Sequence, residues 1–361
     1  MKKIIKLFDP TIDDNERKKI LEVLDSHFWA SGAGTGNVEK FEKNFKNYVN
    51  SDECIAVNSG TSALNLALSI FDLKNKEVIL PSMSFVSTAH AVILNGAKPI
   101  FVDVDPVSLC IDPEKIKNFI TKKTAAILPV HFGGMSCELD KIMDICNENN
   151  LVLIEDAAHA TGSIYKNQKI GKHGMAVCFS FHPVKNLSMP TGGLISINHM
   201  NHKKIRKNLT SKRWCGITDR KDAQYDVKEI GWNYYMDEFS AAIGLEQLKK
   251  LQTFNNKRKV IAKKYSKEIN LDEKIPYSSD CSYHLFWIRV KNRTKFRKKL
   301  FEKNIETGIH YRPIHTMTMY QNRTKLPLTE EIGKDIVSIP IHPNLSEQDT
   351  DKIIKNINEF S

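Results

Sequence analysis

The sequence predicts an α/β protein: a large domain with a mostly parallel seven-stranded sheet sandwiched by helices, followed by a smaller C-terminal α+β domain. Short apolar runs alternate with helical patterns from about residue 38 to 200, the mark of parallel strands joined by crossover helices. After Met236 the pattern changes to one long helical run, with Ala241, Ala242, Leu245, Leu248 and Leu251 at helical spacing. At 361 residues and 41% hydrophobic content, the chain can bury a large core and has the length for two lobes.

The first ten residues are basic and briefly apolar, but charge and Pro10 interrupt them before a signal-peptide core forms. No apolar run is long enough to span a bilayer. A cytoplasmic protein with no membrane partner is therefore expected. Strands are predicted at 54–57, 78–81, 100–103, 125–130, 151–155, 175–181 and 193–198, with helices such as 61–70 and 138–147 between them. Beyond the long helix, 284–290 reads as a strand, 294–304 as a helix and 346–360 as a closing helix. The large domain, with an N-terminal helical arm, takes residues 1–245, and the small domain takes 246–361.

The formal net charge of +11 suits either nucleic acid or an anionic cofactor and substrate. The lysines are spread along amphipathic helices, and no helix-turn-helix or RNP-like pattern accompanies them, so no nucleic-acid partner is expected. Seven cysteines show no CxxC pair, and 12 histidines form no HExxH motif. Reduced thiols and no metal site are the expectation.

Three local features carry chemistry. Asn58-Ser59-Gly60-Thr61-Ser62-Ala63 follows a strand and opens a helix, where free amides and hydroxyls suit a phosphate. An ordinary N-cap by Ser59 or Thr61 would give the same pattern. Asp156 ends the apolar run Leu151-Val152-Leu153-Ile154-Glu155, where an unpaired carboxylate is costly to bury and a protonated pyridine nitrogen would be a fitting partner. A salt bridge or helix cap is the plainer alternative. Strand alternation turns Glu155 to the opposite face, and a helix beginning after Asp156 would bring His159 one turn on.

Lys185 lies in Phe181-His182-Pro183-Val184-Lys185-Asn186, at the end of an apolar strand and before the glycine pair Gly192-Gly193. A loop lysine is usually just solvated. Beside a carboxylate and a phosphate cradle, with Ser180 as a further donor, it supplies the amine that pyridoxal phosphate requires.

Taken with Gly34-Thr35-Gly36, Pro129-Val130-His131, Gly231-Trp232-Asn233-Tyr234 and Ser338-Ile339-Pro340-Ile341-His342-Pro343, these motifs make the chain resemble the DegT/DnrJ/EryC1/StrS sugar aminotransferases. These are pyridoxal-phosphate (PLP) enzymes of fold type I, in the aspartate aminotransferase superfamily. The resemblance implies that Lys185 is the Schiff-base lysine and Asp156 the partner of the pyridinium nitrogen. It places Phe85 against the cofactor ring and Gly60, Thr61 and Ser180 around the phosphate; Ser59, Ser62 and His159, close to these residues and to Asp156 in the sequence, are further cofactor-binding candidates. Asn233 matches an asparagine that reaches the neighbouring subunit's cofactor, which implies a homodimer with composite sites. His182, His310, Tyr311, Arg312 and His315 are substrate candidates.

The implied reaction moves an amino group from an amino acid, L-glutamate, through pyridoxamine phosphate to a nucleotide-linked keto sugar. A keto-inositol acceptor, a sister sugar dehydratase and a non-catalytic regulatory protein are the alternatives, and Lys185 argues against the dehydratase, which has histidine there. Thr191, where the family often has an acidic residue, and Tyr235, near an expected arginine, depart from the pattern.

Overall fold

The computed structural model describes residues 4–320 and 324–361. Its main sheet has seven strands in the order Glu53–Val57, Gly193–Ile197, Ala176–Ser180, Val152–Asp156, Thr124–Ile127, Glu77–Pro81 and Lys98–Val102. The last five of these run parallel to one another. Gly193–Ile197 is antiparallel to both its neighbours, so Glu53–Val57 shares the common direction. The strands are buried along most of their length, as a parallel sheet between helix layers requires.

This topology brings the chemistry to one edge. The segments following Val57, Pro81 and Ser180, and Asp156 itself, all emerge at the carboxyl ends of the strands, where α/β sheets bind ligands. The reversed strand starts at the same edge, with Gly193 paired to both Val57 and Ser180. A Cβ on Gly193 would lie 2.2 Å from the Ser59 carbonyl oxygen, so the bare glycine lets this strand close against the Ser59-Gly60 backbone.

The helix Glu238–Glu268 begins with an N-cap from Asp237 and packs on the helices Asp14–Ser26 and Asn37–Val49. Residues 245 and 246, where the sequence reading changes domain, fall inside it. Beyond it, the antiparallel pair Phe286–Arg289 and Ile336–Ile339 is accompanied by the helices Arg293–Glu302 and Glu347–Phe360. Ser346 and Asp349 form a capping box that sets the start of the last helix. Near the N-terminus, the Ile5 N–H bonds the Asn304 carbonyl at 2.9 Å, which carries the following Phe8 to the strand-end edge.

Buried charge ties the large lobe together. Arg213 pairs with Glu42 at 2.6 Å and donates to the Ala56 and Ala33 carbonyls, while Glu42 also takes the Ala56 N–H. Among the described residues, no helix is long and apolar enough to cross a membrane. Six of the seven free cysteines are buried, and Cys215 is exposed.

Candidate active site

A cavity of about 360 Å³ opens at the strand-end edge, with Gly60, Thr61, Phe85, Asp156, Ser180 and Lys185 among its lining residues. Ser59, His159, His182, His310 and Tyr311 reach it as well. Most of the residues singled out in the sequence therefore meet in one place, although they come from segments far apart in the chain.

The Gly60–Leu68 helix supplies the polar end of the cavity. Ser59 is its N-cap, accepting from the Ser62 N–H at 3.1 Å, and Ser62 turns its hydroxyl to Asn58 Oδ1 at 2.6 Å. Ser62 is thus buried behind the wall rather than on it. Gly60 and Thr61 lie in the first turn, ahead of Ala63, whose N–H is bonded to the Ser59 carbonyl and begins the helical ladder, so their N–H groups are open to an anion. A Cβ on Gly60 would sit 2.7 Å from Ser180 Cβ, so only glycine lets this turn lie against Ser180.

Asp156 is buried. Its Oδ2 accepts from the Thr88 hydroxyl at 2.8 Å and its Oδ1 from the Ala158 N–H at 3.1 Å. Burial raises its pKa above the usual carboxylate value, opposed by these hydrogen bonds and by the Lys185 charge. Glu155 does face the other way: it meets His131 Nε2 at 2.7 Å and the Gly174 N–H. The Cys137 N–H donates to His131 Nδ1, so His131 carries its proton on Nε2 and gives it to Glu155.

No helix follows Asp156. The chain turns there instead, with Ala160 N–H bonding the Ala157 carbonyl, and His159 reaches the cavity from the turn. His159 Nδ1 accepts from the Gly133 N–H at 3.3 Å, leaving Nε2–H to donate to the Tyr311 hydroxyl at 3.0 Å. Burial and the Lys185 charge hold His159 well below the usual histidine range.

Lys185 is half-buried. Its pKa falls to about 8, because burial penalises the ammonium more than the Asp156 carboxylate supports it. His310 falls to about 4 for the same leading reason, with Lys185 and Arg297 adding repulsion. Phe85 is 56% exposed and presents its ring on the cavity wall.

Besides Ser62, three predicted residues lie off this wall. Asn233 is exposed, with its carbonyl accepting from Asn58 Nδ2 at 3.2 Å. Arg312 is exposed and donates to Thr316. His315 is buried, with Nδ1 on Ser82 at 2.6 Å and Nε2 on Glu330 at 3.2 Å.

The structure adds residues that sequence reading did not single out. Phe8 lines the cavity, Thr88 holds Asp156, and His284 meets Lys185. A histidine opening the apolar segment Leu285-Phe286-Trp287-Ile288 was the available signal for His284.

Sheet, strand-end cavity and lobe arrangement define an α/β enzyme of the PLP fold-type I class. The chain belongs to the DegT/DnrJ/EryC1/StrS aminotransferase family, whose sequence profile matches residues 10–358. It is 33% identical to the uncharacterized protein MJ1066 of Methanocaldococcus jannaschii, over 98% of this chain and 96% of that protein. Identity is 32% to the spore coat polysaccharide biosynthesis protein SpsC of Bacillus subtilis, over 97% and 95%. Among solved structures, Helicobacter pylori PseC, an aminotransferase involved in the biosynthesis of pseudoaminic acid, superposes with a TM-score of 0.93 at 26% identity, over 99% of each chain.

Aminotransferases of this family use pyridoxal 5′-phosphate. The residues present fit it: a helix start left open at Gly60 for a phosphate, and a lysine amine that makes no ion pair among the described residues.

Proposed function

We propose that this protein transfers an amino group from L-glutamate to the keto group of a nucleotide-linked sugar. The observation that carries the reading is one cavity lined by the Lys185 amine, the Asp156 carboxylate and the Gly60-Thr61 helix start. The names of SpsC and PseC, which refer to polysaccharide and pseudoaminic acid biosynthesis, support a sugar acceptor.

When bound, PLP supplies the carbonyl that receives the amino group and the ring that accepts the electrons released at the donor's α-carbon. Lys185 anchors that carbonyl. Once free, with a pKa of about 8, its Nζ is neutral often enough near neutral pH to take the α-proton of the donor. Asp156 holds the proton of the pyridine nitrogen. Gly60 and Thr61 N–H groups and the Ser180 hydroxyl would bind the phosphate, and Phe85 would supply an aromatic wall for the ring. Ser59 caps the helix that carries Gly60 and Thr61, and Ser62 lies behind it, its hydroxyl held by Asn58. His159, joined to Tyr311, lies beside the ring, while His182, His310 and Tyr311 face the sugar. Arg312, exposed and cationic, suits the nucleotide's phosphates. We place the reaction in the cytoplasm, where unpaired thiols persist.

With loaded protein and excess L-glutamate, one member of a panel of nucleotide-linked keto sugars should be converted to its amino sugar, with glutamate giving one 2-oxoglutarate per turnover over many turnovers. Turnover of a keto-inositol alone would replace the acceptor, and no turnover on any keto acceptor would contradict the reading.

The site is completed by a second copy, through Asn233. Exposed apolar side chains at Phe28, Trp29, Tyr225, Val227 and Ile230 support an assembled form. Mixing Lys185→Ala with Asn233→Ala subunits should restore up to about a quarter of wild-type activity, as random pairing of complementary sites predicts. Demonstrated heterodimers without recovery would count against shared sites.

A further inference from the structure

We infer that His284 is the docking partner of the free Lys185 amine, a positioning residue whose Nε2 holds Nζ whenever the lysine is not carrying the cofactor. The inference rests on Lys185 being the cofactor-bearing lysine. Nε2 of His284 lies 3.3 Å from Lys185 Nζ. Among the described residues this is the only hydrogen bond of either group: His284 Nδ1 is buried without a partner, and the lysine amine meets no carboxylate.

The imidazole is 2% exposed. It stacks on Phe8, with centroids 5.6 Å apart and 17° between planes, and its centroid lies 4.5 Å from that of His159. An apolar ring would fill this slot without leaving a buried nitrogen unpaired, so packing alone does not account for histidine. Burial, together with the Lys185, His159, Arg258 and His310 charges, keeps His284 well below the usual histidine range and hence neutral. A neutral Nε2 can accept from the ammonium or donate to the free amine, with the tautomer changing to suit. A lysine released on a flexible four-carbon stem needs such a fixed partner if it is to stay near the reacting carbon.

Two substitutions separate acceptor from ring. His284→Phe keeps a flat ring against Phe8 and removes the nitrogen. His284→Gln removes the ring but sets an amide near the position of Nε2. Reductive methylation of Lys185 in the cofactor-free protein, followed by mass spectrometry across pH, reads the apparent pKa of the amine. His284→Phe should lower it by about one unit, because a desolvated ammonium loses its acceptor, and His284→Gln should return it towards wild type. In the loaded protein, His284→Phe should lower kcat about tenfold with the donor KM little changed.

Wild-type pH profiles in a folded His284→Phe protein would overturn the inference. If that variant does not fold, His284→Asn, which is one methylene short of Nε2, replaces it: a shift relative to His284→Gln supports docking, and equal wild-type profiles in both overturn it. Failure of the functional reading is seen separately, as the absence of any borohydride-trapped cofactor on wild-type Lys185.

Discussion

Lys185→Ala should lower the transamination rate by at least about 10,000-fold, because in the proposed reaction one side chain both anchors the cofactor carbonyl and moves the proton. The fold should survive. The side chain is half-buried, and the local backbone bonds, Lys185 N–H to the His182 carbonyl and Ser188 Oγ to the Lys185 carbonyl, do not involve it. Lys185→Arg is the sharper variant. It keeps a cation beside Asp156 but cannot give up its proton, so it should be about as inactive as alanine. Single-turnover conversion of glutamate to 2-oxoglutarate measures both. Retention of wild-type rates by Lys185→Arg would show that charge, not a transferable proton, is what the site requires.

Asp156→Asn should have effects of opposite sign on catalysis and on the cofactor-free fold. Without the carboxylate proposed to hold the ring proton, the rate should fall on the order of 100- to 1,000-fold, the usual size for removing one preorganised electrostatic partner. In the cofactor-free protein the carboxylate is itself a burden. Burial raises its pKa above 3.8, so the unfolded chain ionises first as pH rises. The folded state's preference for the protonated form is fully present below 3.8 and is lost as pH rises through the higher folded value. Asparagine carries no such penalty. It keeps an acceptor for the Ala158 N–H, and the Thr88 hydroxyl can turn to accept from its amide. Thermal unfolding near pH 7 should rise by about 2–4 °C without cofactor. The further rise on adding PLP should be smaller than in wild type. A lower melting temperature in cofactor-free Asp156→Asn would contradict this view of the site.

Local pattern carried much of the architecture. The predicted strand at 54–57 forms as Glu53–Val57 and that at 175–181 as Ala176–Ser180, because short apolar runs between polar turns have few other ways to be buried. The strand predicted at 125–130 ends earlier, as Thr124–Ile127. Strand direction was not legible: nothing in Gly193-Leu194-Ile195-Ser196-Ile197 says that it runs against its neighbours, which is a matter of tertiary pairing. His159 illustrates the same limit within the site. Local spacing suggested a helical turn, whereas the chain bends sharply and the Tyr311 hydroxyl, 152 residues further along the chain, orients the ring. His284 and Phe8 come from separate segments that meet Lys185 only in the folded chain.

The most direct test of the whole reading is to load the purified protein with PLP, reduce it with borohydride and map the modified peptide. A stable pyridoxyl group on Lys185, absent from Lys185→Ala, is the expected result. A visible cofactor band whose reduced adduct maps to any other lysine, or no adduct on a protein that still turns over glutamate, would contradict it.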